Sequence, residues 1–119
     1  MILADTSIWI DHLRVTNIEV SRAIADRQLL MHPFVLGELA LGSLRNRGAM
    51  IAKFRKLRMA PIARLDSVLD MIERAPLFNC GIGYVDAHLL ASCLLAGNTK
   101  LLARDRRLRQ MAEQLGVAA

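Results

Sequence analysis

Short apolar runs alternate with longer stretches of helical period along this chain. Met1-Ile-Leu-Ala4 is an apolar run closed by Asp5-Thr6-Ser7, and helical patterning follows from Ile8 to Leu13. That order predicts a buried strand feeding a helix whose first turn holds capping acceptors. A second helix is predicted over Ile18 to Arg27, then a short strand at Leu29-Leu30-Met31. Pro33 stands where a helix can begin, and Phe34 to Leu44 reads as helical. Ala49 to Arg58 and Ser67 to Phe78 follow as helices, with Pro61 in the connection between them. Gly81 and Gly83 punctuate the chain before Val85 to Ala96, a helical stretch ended by Gly97-Asn98. Leu101-Leu102-Ala103 is a third buried strand, Arg106 to Leu115 a last helix, and Gly116-Val117 a short terminal strand. Short apolar strands alternating with helices imply parallel pairing with helices on both faces. The expected class is α/β, a three-layer α/β/α fold with a short central parallel sheet.

In such a sheet, ligands gather at the carboxyl ends of the strands. Asp5 follows the first strand and Asp105 the third, Asp86 opens the helix after Gly81 and Gly83, and Glu38 lies inside the Pro33 helix. Taken singly, Asp5 reads as a helix cap and Asp86 as a favourable charge near a helix N-terminus. Asp105, among Arg104, Arg106, Arg107 and Arg109, reads as a salt-bridged surface acid. Glu38 is different, because its neighbours at three and four positions are Phe34, Val35, Leu41 and Gly42, and no Lys or Arg occurs from Gln28 to Leu44. Such a carboxylate must find a tertiary partner, shift its pKa or hold a cation. Asp86, among Ile82, Gly83, Leu89 and Leu90, is in the same situation. Gathered in one pocket, these carboxylates repel unless a cation neutralises them, and oxygen donors alone favour Mg²⁺ or Mn²⁺ over zinc. A site of that kind activates water and steadies the charge on a phosphodiester during in-line displacement.

Composition sharpens this picture. At 119 residues and 13.2 kDa, with 54% apolar residues and a mean hydropathy of +0.31, the chain is the length of one domain able to bury a core. Sixteen Lys and Arg against eleven Asp and Glu give a net charge of +5 and a pI near 10, which suits a polyanionic partner. From Leu39 to Leu65 there are seven basic residues (Arg45, Arg47, Lys53, Arg55, Lys56, Arg58, Arg64) and no acid. Arg104, Arg106, Arg107 and Arg109 form a second cluster, and phosphate contact is expected from both. Aromatic residues are too scarce for a base-stacking platform. Cys80 and Cys93, both in apolar surroundings, read as reduced, buried thiols rather than a disulfide or metal site. His12, His32 and His88 read as surface or packing residues, and Met50, Met59, Met71 and Met111 as core filler. No P-loop, G-x-G-x-x-G or G-x-S-x-G is present. Asp5 and Asp11 stand where a signal peptide needs a basic then apolar stretch, and the longest run without a charge, Ala87 to Thr99, is thirteen residues. A soluble cytoplasmic protein with no membrane partner is therefore expected.

Four segments carry a family resemblance: Leu3-Ala-Asp-Thr-Ser-Ile-Trp-Ile-Asp11, His32-Pro-Phe-Val-Leu-Gly-Glu-Leu-Ala-Leu-Gly42, Gly83-Tyr-Val-Asp-Ala-His-Leu-Leu-Ala91 and Leu101-Leu-Ala-Arg-Asp-Arg-Arg-Leu108. In this order and spacing, over essentially the whole chain, the sequence resembles the PIN-domain ribonucleases, specifically the VapC-type toxins of bacterial type II toxin–antitoxin pairs. The resemblance implies a single PIN domain over residues 1–119 and a Mg²⁺- or Mn²⁺-dependent endoribonuclease that inhibits translation. It makes Asp5, Glu38, Asp86 and Asp105 the catalytic acids. Asp5 and Asp86 are then the principal metal ligands, and Glu38 and Asp105 complete the cluster partly through water. It also implies an RNA substrate, a homodimer, and a cognate antitoxin whose C-terminal segment blocks the acidic pocket, often with an Arg. The family pattern usually places Thr or Ser two residues before the fourth acid, where this chain has Ala103. That departure gives weight to an alternative, a catalytically inactive RNA-binding PIN module. A phosphorylated receiver domain fits less well, because Asp5 is followed by Thr6 and Ser7 rather than a second acid, and Lys100 precedes its strand.

Overall fold

The apolar runs Ile2–Ala4 (β1), Leu29–Met31 (β2) and Lys100–Leu102 (β4) become strands, and a computed structural model of residues 1–119 pairs them all in parallel. A two-residue strand that the pattern did not predict, Arg58–Met59 (β3), adds to the free edge of β2. Sheet order is β3-β2-β1-β4. The chain therefore walks outward from β1 to β3, then returns to the other side of β1, which makes the β1/β4 boundary the switch point of the sheet. The terminal strand expected at Gly116-Val117 is only an isolated bridge between Leu101 and Ala118.

The helices are α1 (Thr6–Arg14), α2 (Ile18–Ala25), α3 (Pro33–Leu41), α4 (Arg47–Lys56), α5 (Leu65–Arg74), α6 (Tyr84–Ala96) and α7 (Arg106–Gln114). They pack with the sheet in the three-layer α/β/α arrangement expected from the sequence. α6 and α7 lie against β4, α2 lies against β2, and α1 packs on α3, which packs on α4. Leu3, Met31, Leu89, Leu90 and Leu108 are fully buried at the centre of the main core. The central strands β1 and β2 are so buried between the helical layers, as parallel pairing requires, while edge strand β3 is exposed. No helix is long and apolar enough to cross a membrane.

Several expectations need correction. Arg58 leaves the α4 helix for β3, α5 stops at Arg74 ahead of Pro76, which has no amide hydrogen to donate, and α3 stops at Leu41. The α3 terminus is held by Arg47, whose guanidinium donates to the Ala40 and Gly42 carbonyls. This basic residue serves the fold by satisfying helix-terminal carbonyls. Met59 is exposed rather than core filler, while Met50, Met71 and Met111 pack partly buried against the core. Cys93 is buried, with its thiol pushed up to about 12 by desolvation, but Cys80 is only half-buried.

Candidate active site

Asp5, Glu38, Asp86 and Asp105 line one cavity of about 640 Å³ at the carboxyl ends of β1 and β4. Each arrives by a different route. Asp5 leaves β1 with its amide bonded to the Leu102 carbonyl (3.0 Å), which ties it to the end of β4. It is the N-cap of α1, where Oδ1 accepts from the Ile8 amide (3.0 Å) and from the Ser7 hydroxyl (2.8 Å). Asp105 is the N-cap of α7 and accepts from the Leu108 amide (3.0 Å). Asp86, in the first turn of α6, accepts from the Gly83 amide (3.2 Å) through Oδ2. Glu38 stands on α3 and accepts a 2.6 Å hydrogen bond from the Thr6 hydroxyl.

The single-residue readings are thus only partly right. Asp5 does cap its helix, but it also opens on the cavity while buried. Asp105 is exposed and forms no salt bridge with the arginines beside it; the chain's two bridges are Arg74–Asp70 and Arg104–Asp11. Glu38 is exposed, not enclosed by the apolar neighbours that its helical spacing suggested, and its tertiary partner is Thr6. Thr6, Ser7, Tyr84 and Arg104 also line the cavity. The tertiary contacts of Thr6 and Arg104 had no signal in the sequence, because their partners lie 32 and 93 residues away. Ala103 is buried in the core and absent from the cavity lining. The hydroxyls that reach the carboxylates belong instead to Thr6 and Ser7.

The electrostatics describe crowded acids. Desolvation raises the Asp5 carboxyl above its ordinary pKa; the Ile8 and Ser7 hydrogen bonds and the Arg104 charge oppose that rise, and the Asp105 charge adds to it. Desolvation likewise raises Asp86, opposed by the Gly83 amide and reinforced by the charges of Asp5, Asp105 and Glu38. The charges of the other three acids are therefore all felt at Asp86. Asp5, Asp86 and Asp105 each commit one oxygen to a helix-terminal amide and leave the other without a partner in the chain. As the side chains stand, no three of them close around a point where an ion could sit. The donor set nonetheless fits a hard divalent cation, being all carboxylate oxygen, partly desolvated and mutually repulsive.

From Tyr84 in the cavity wall, a stack of rings runs inward to the buried His88 and His32. Tyr84 meets His88 edge-on (centroids 4.7 Å apart), His88 meets Phe34 (4.8 Å), and Phe34 meets His32 (4.9 Å). His32 is fully buried and caps α3, with Nδ1 accepting from the Phe34 amide (3.0 Å). Nε2 must then carry the proton, which it gives to Ser92 Oγ (2.9 Å), and that hydroxyl donates to the Pro61 carbonyl (2.7 Å). Burial, helped by the charge of His88, lowers His32 to about 4.

The PIN domain family model matches residues 2–114. Ribonuclease VapC32 of Mycobacterium tuberculosis, in strains CDC 1551 / Oshkosh and ATCC 25618 / H37Rv, is 40% identical to this chain over 118 residues. The alignment covers 99% of this chain and 95% of each relative. No solved structure matches the chain significantly.

Proposed function

This chain belongs to the PIN-domain family, as a VapC-type member, and from that premise we propose that it is a metal-dependent endoribonuclease, the toxin of a type II toxin–antitoxin pair. The observation that carries the reading is the single cavity at the sheet's switch point, lined by Asp5, Glu38, Asp86 and Asp105. Asp5 and Asp86 are the proposed ligands of Mg²⁺ or Mn²⁺, since they are the least exposed of the four. Glu38 and Asp105 complete the acidic set. When bound, such an ion supplies a Lewis acid that activates water and offsets charge building on the phosphate. The chain's own residues do the rest. Thr6 and Ser7 orient the Glu38 and Asp5 carboxylates by donating to one oxygen of each. Helix-terminal amides fix Asp5, Asp86 and Asp105, so that each unpartnered oxygen is set by backbone rather than by a free rotor.

An apolar groove of about 480 Å³ beside the cavity, lined by Ile10, Leu13, Leu39, Leu44 and Met50, shares Glu38 with it. A partner segment seated there reaches the carboxylates, which supports an antitoxin that blocks the acids directly. Exposed Ile62 in the connection before α5, Leu65 and Leu69 on α5, and Leu94 and Leu95 on α6 support a homodimer. Residues 1–119 are taken as a single domain acting in the cytoplasm.

The test incubates purified, antitoxin-free protein with total RNA and with transfer RNA, in Mg²⁺, Mn²⁺ or EDTA, beside Asp5→Asn. Discrete fragments that require both metal and Asp5 are the expected result. Salt-dependent RNA binding without cleavage under any metal would replace the nuclease with the inactive binding module. Cleavage that survives EDTA would remove the metal from the reading.

A further inference from the structure

Arg104 is the one cationic side chain lining the acidic cavity, and its charge is felt at Asp5. Yet its guanidinium pairs with none of the four cavity acids. Its Nη1 instead donates to both carboxylate oxygens of Asp11 on α1, at 2.9 and 2.7 Å. Stability does not account for the pair, because both side chains are well exposed (64% and 39%), and exposed bridges contribute little. The pairing has a second feature. A guanidinium offers about five N–H donors, and only those on Nη1 are used here, so the donors of Nε and Nη2 have no partner in the chain. Arg104 lines the same cavity as the four acids, whose Glu38 and Asp5 carboxylates are already met by the Thr6 and Ser7 hydroxyls.

Resting on the nuclease reading above, we propose that Asp11 is a positioning residue that holds the Arg104 guanidinium out of the carboxylate cluster, with its free edge presented to an RNA phosphate. Without Asp11, the strongest acceptors within reach of Arg104 are the cavity acids themselves. A guanidinium bonded to them neutralises the charge that should attract a divalent cation and occupies the oxygens that should bind it. Asp11 thus separates two positive charges by function, leaving the carboxylates to the metal ion and the phosphate to Arg104.

The experiment titrates Mn²⁺ into the full-length protein by calorimetry and measures kcat and KM for RNA cleavage. It compares wild type, Asp11→Ala, Arg104→Gln and the double variant, each checked for a cooperative melt, with Asp11→Asn in reserve should the alanine variant not fold. Asp11→Ala should bind Mn²⁺ about tenfold more weakly, the scale of one unit charge moved into a partly solvated site. Arg104→Gln should keep Mn²⁺ affinity but raise KM for RNA about tenfold, as removing a charge-assisted hydrogen bond to phosphate implies. The double variant should regain the Mn²⁺ affinity of Arg104→Gln and keep its high KM. An Asp11→Ala protein that binds Mn²⁺ like wild type, or a double variant as weak as Asp11→Ala, overturns the inference while leaving the nuclease reading intact. Wild-type protein that takes up no Mn²⁺ overturns the metal site itself, and this inference with it.

Discussion

Asp5 and Asp86 hold their charges at a cost, one buried and the other half-buried, each raised by desolvation and by neighbouring acids. Asparagine keeps the acceptor that each uses toward its helix amide and removes the charge. Asp86→Asn should therefore abolish cleavage and raise the melting temperature of the metal-free protein by about 4 °C, the shift expected from roughly 1 kcal/mol of relieved repulsion in a chain of 119 residues. Calorimetric melts in EDTA check this, and a lower melting temperature would mean that the carboxylate is a net support of the fold. His32 gives the opposite case. Its neutral form is required, because a proton on Nδ1 would face the Phe34 amide, and its folded pKa of about 4 lies below the ordinary histidine value of 6.5. Between those values the unfolded chain binds the extra proton and the folded chain does not. The stability contribution is present above pH 6.5 and lost as pH falls toward 4, by about 3 kcal/mol in all. Denaturant melts across that range test it, and His32→Asn, which keeps a capping acceptor, should flatten the slope. At this scale Asp5, Asp86 and Asp105 were legible because each stands beside a predicted element boundary, and Glu38 because it sits inside a predicted helix with no Lys or Arg nearby in sequence. His32 was not, since its partner Ser92 lies 60 residues away.

Elements in this fold are anchored by the residues that also face the cavity. Asp5 and Asp105 cap α1 and α7, so the strand-to-helix turns that hold the site are stiffened by the site's own carboxylates. Asp105→Ala should cost about 1 kcal/mol through loss of the cap, whereas Asp105→Asn should cost far less. Comparing the two by urea melts separates capping from charge, and equal losses would assign the effect to charge. Away from the site, Ser92→Ala should cost about 1–3 kcal/mol, because it leaves the buried His32 donor unpaired and removes the bond to the Pro61 carbonyl. Patterning found β1, β2, β4 and all seven helices, with errors only at their ends. It missed β3 because Arg58 and Met59 are both exposed and form no apolar run; the strand exists only through pairing with Leu30 and Met31. The α3 terminus was misplaced for a related reason, since the Arg47 side chain that closes it comes from the next helix.

Across the whole molecule, sequence charge and structural charge differ in one useful respect. Of the seven basic residues between Leu39 and Leu65, Arg47 is spent on the end of α3, and none forms a salt bridge. Lys53, Arg55 and Lys56 stand exposed on α4, which packs against α3, the helix that carries Glu38. Their charges are thus free to meet phosphates that flank the bond to be cut, and each such pairing with single-stranded RNA releases counterions. Replacing all three by Gln should lower the salt dependence of RNA binding by about 0.7 in the log–log slope for every phosphate no longer neutralised, so by roughly 2 if each side chain meets one. Arg47→Gln serves as the contrast: it should destabilise the α3 terminus and leave that slope unchanged. Binding isotherms between low and physiological salt, taken with the Asp5→Asn protein to prevent turnover, read both effects. A slope unmoved by the triple replacement would clear α4 of RNA binding and leave Arg106, Arg107 and Arg109 of α7 as the phosphate-binding face, on the opposite side of the switch point.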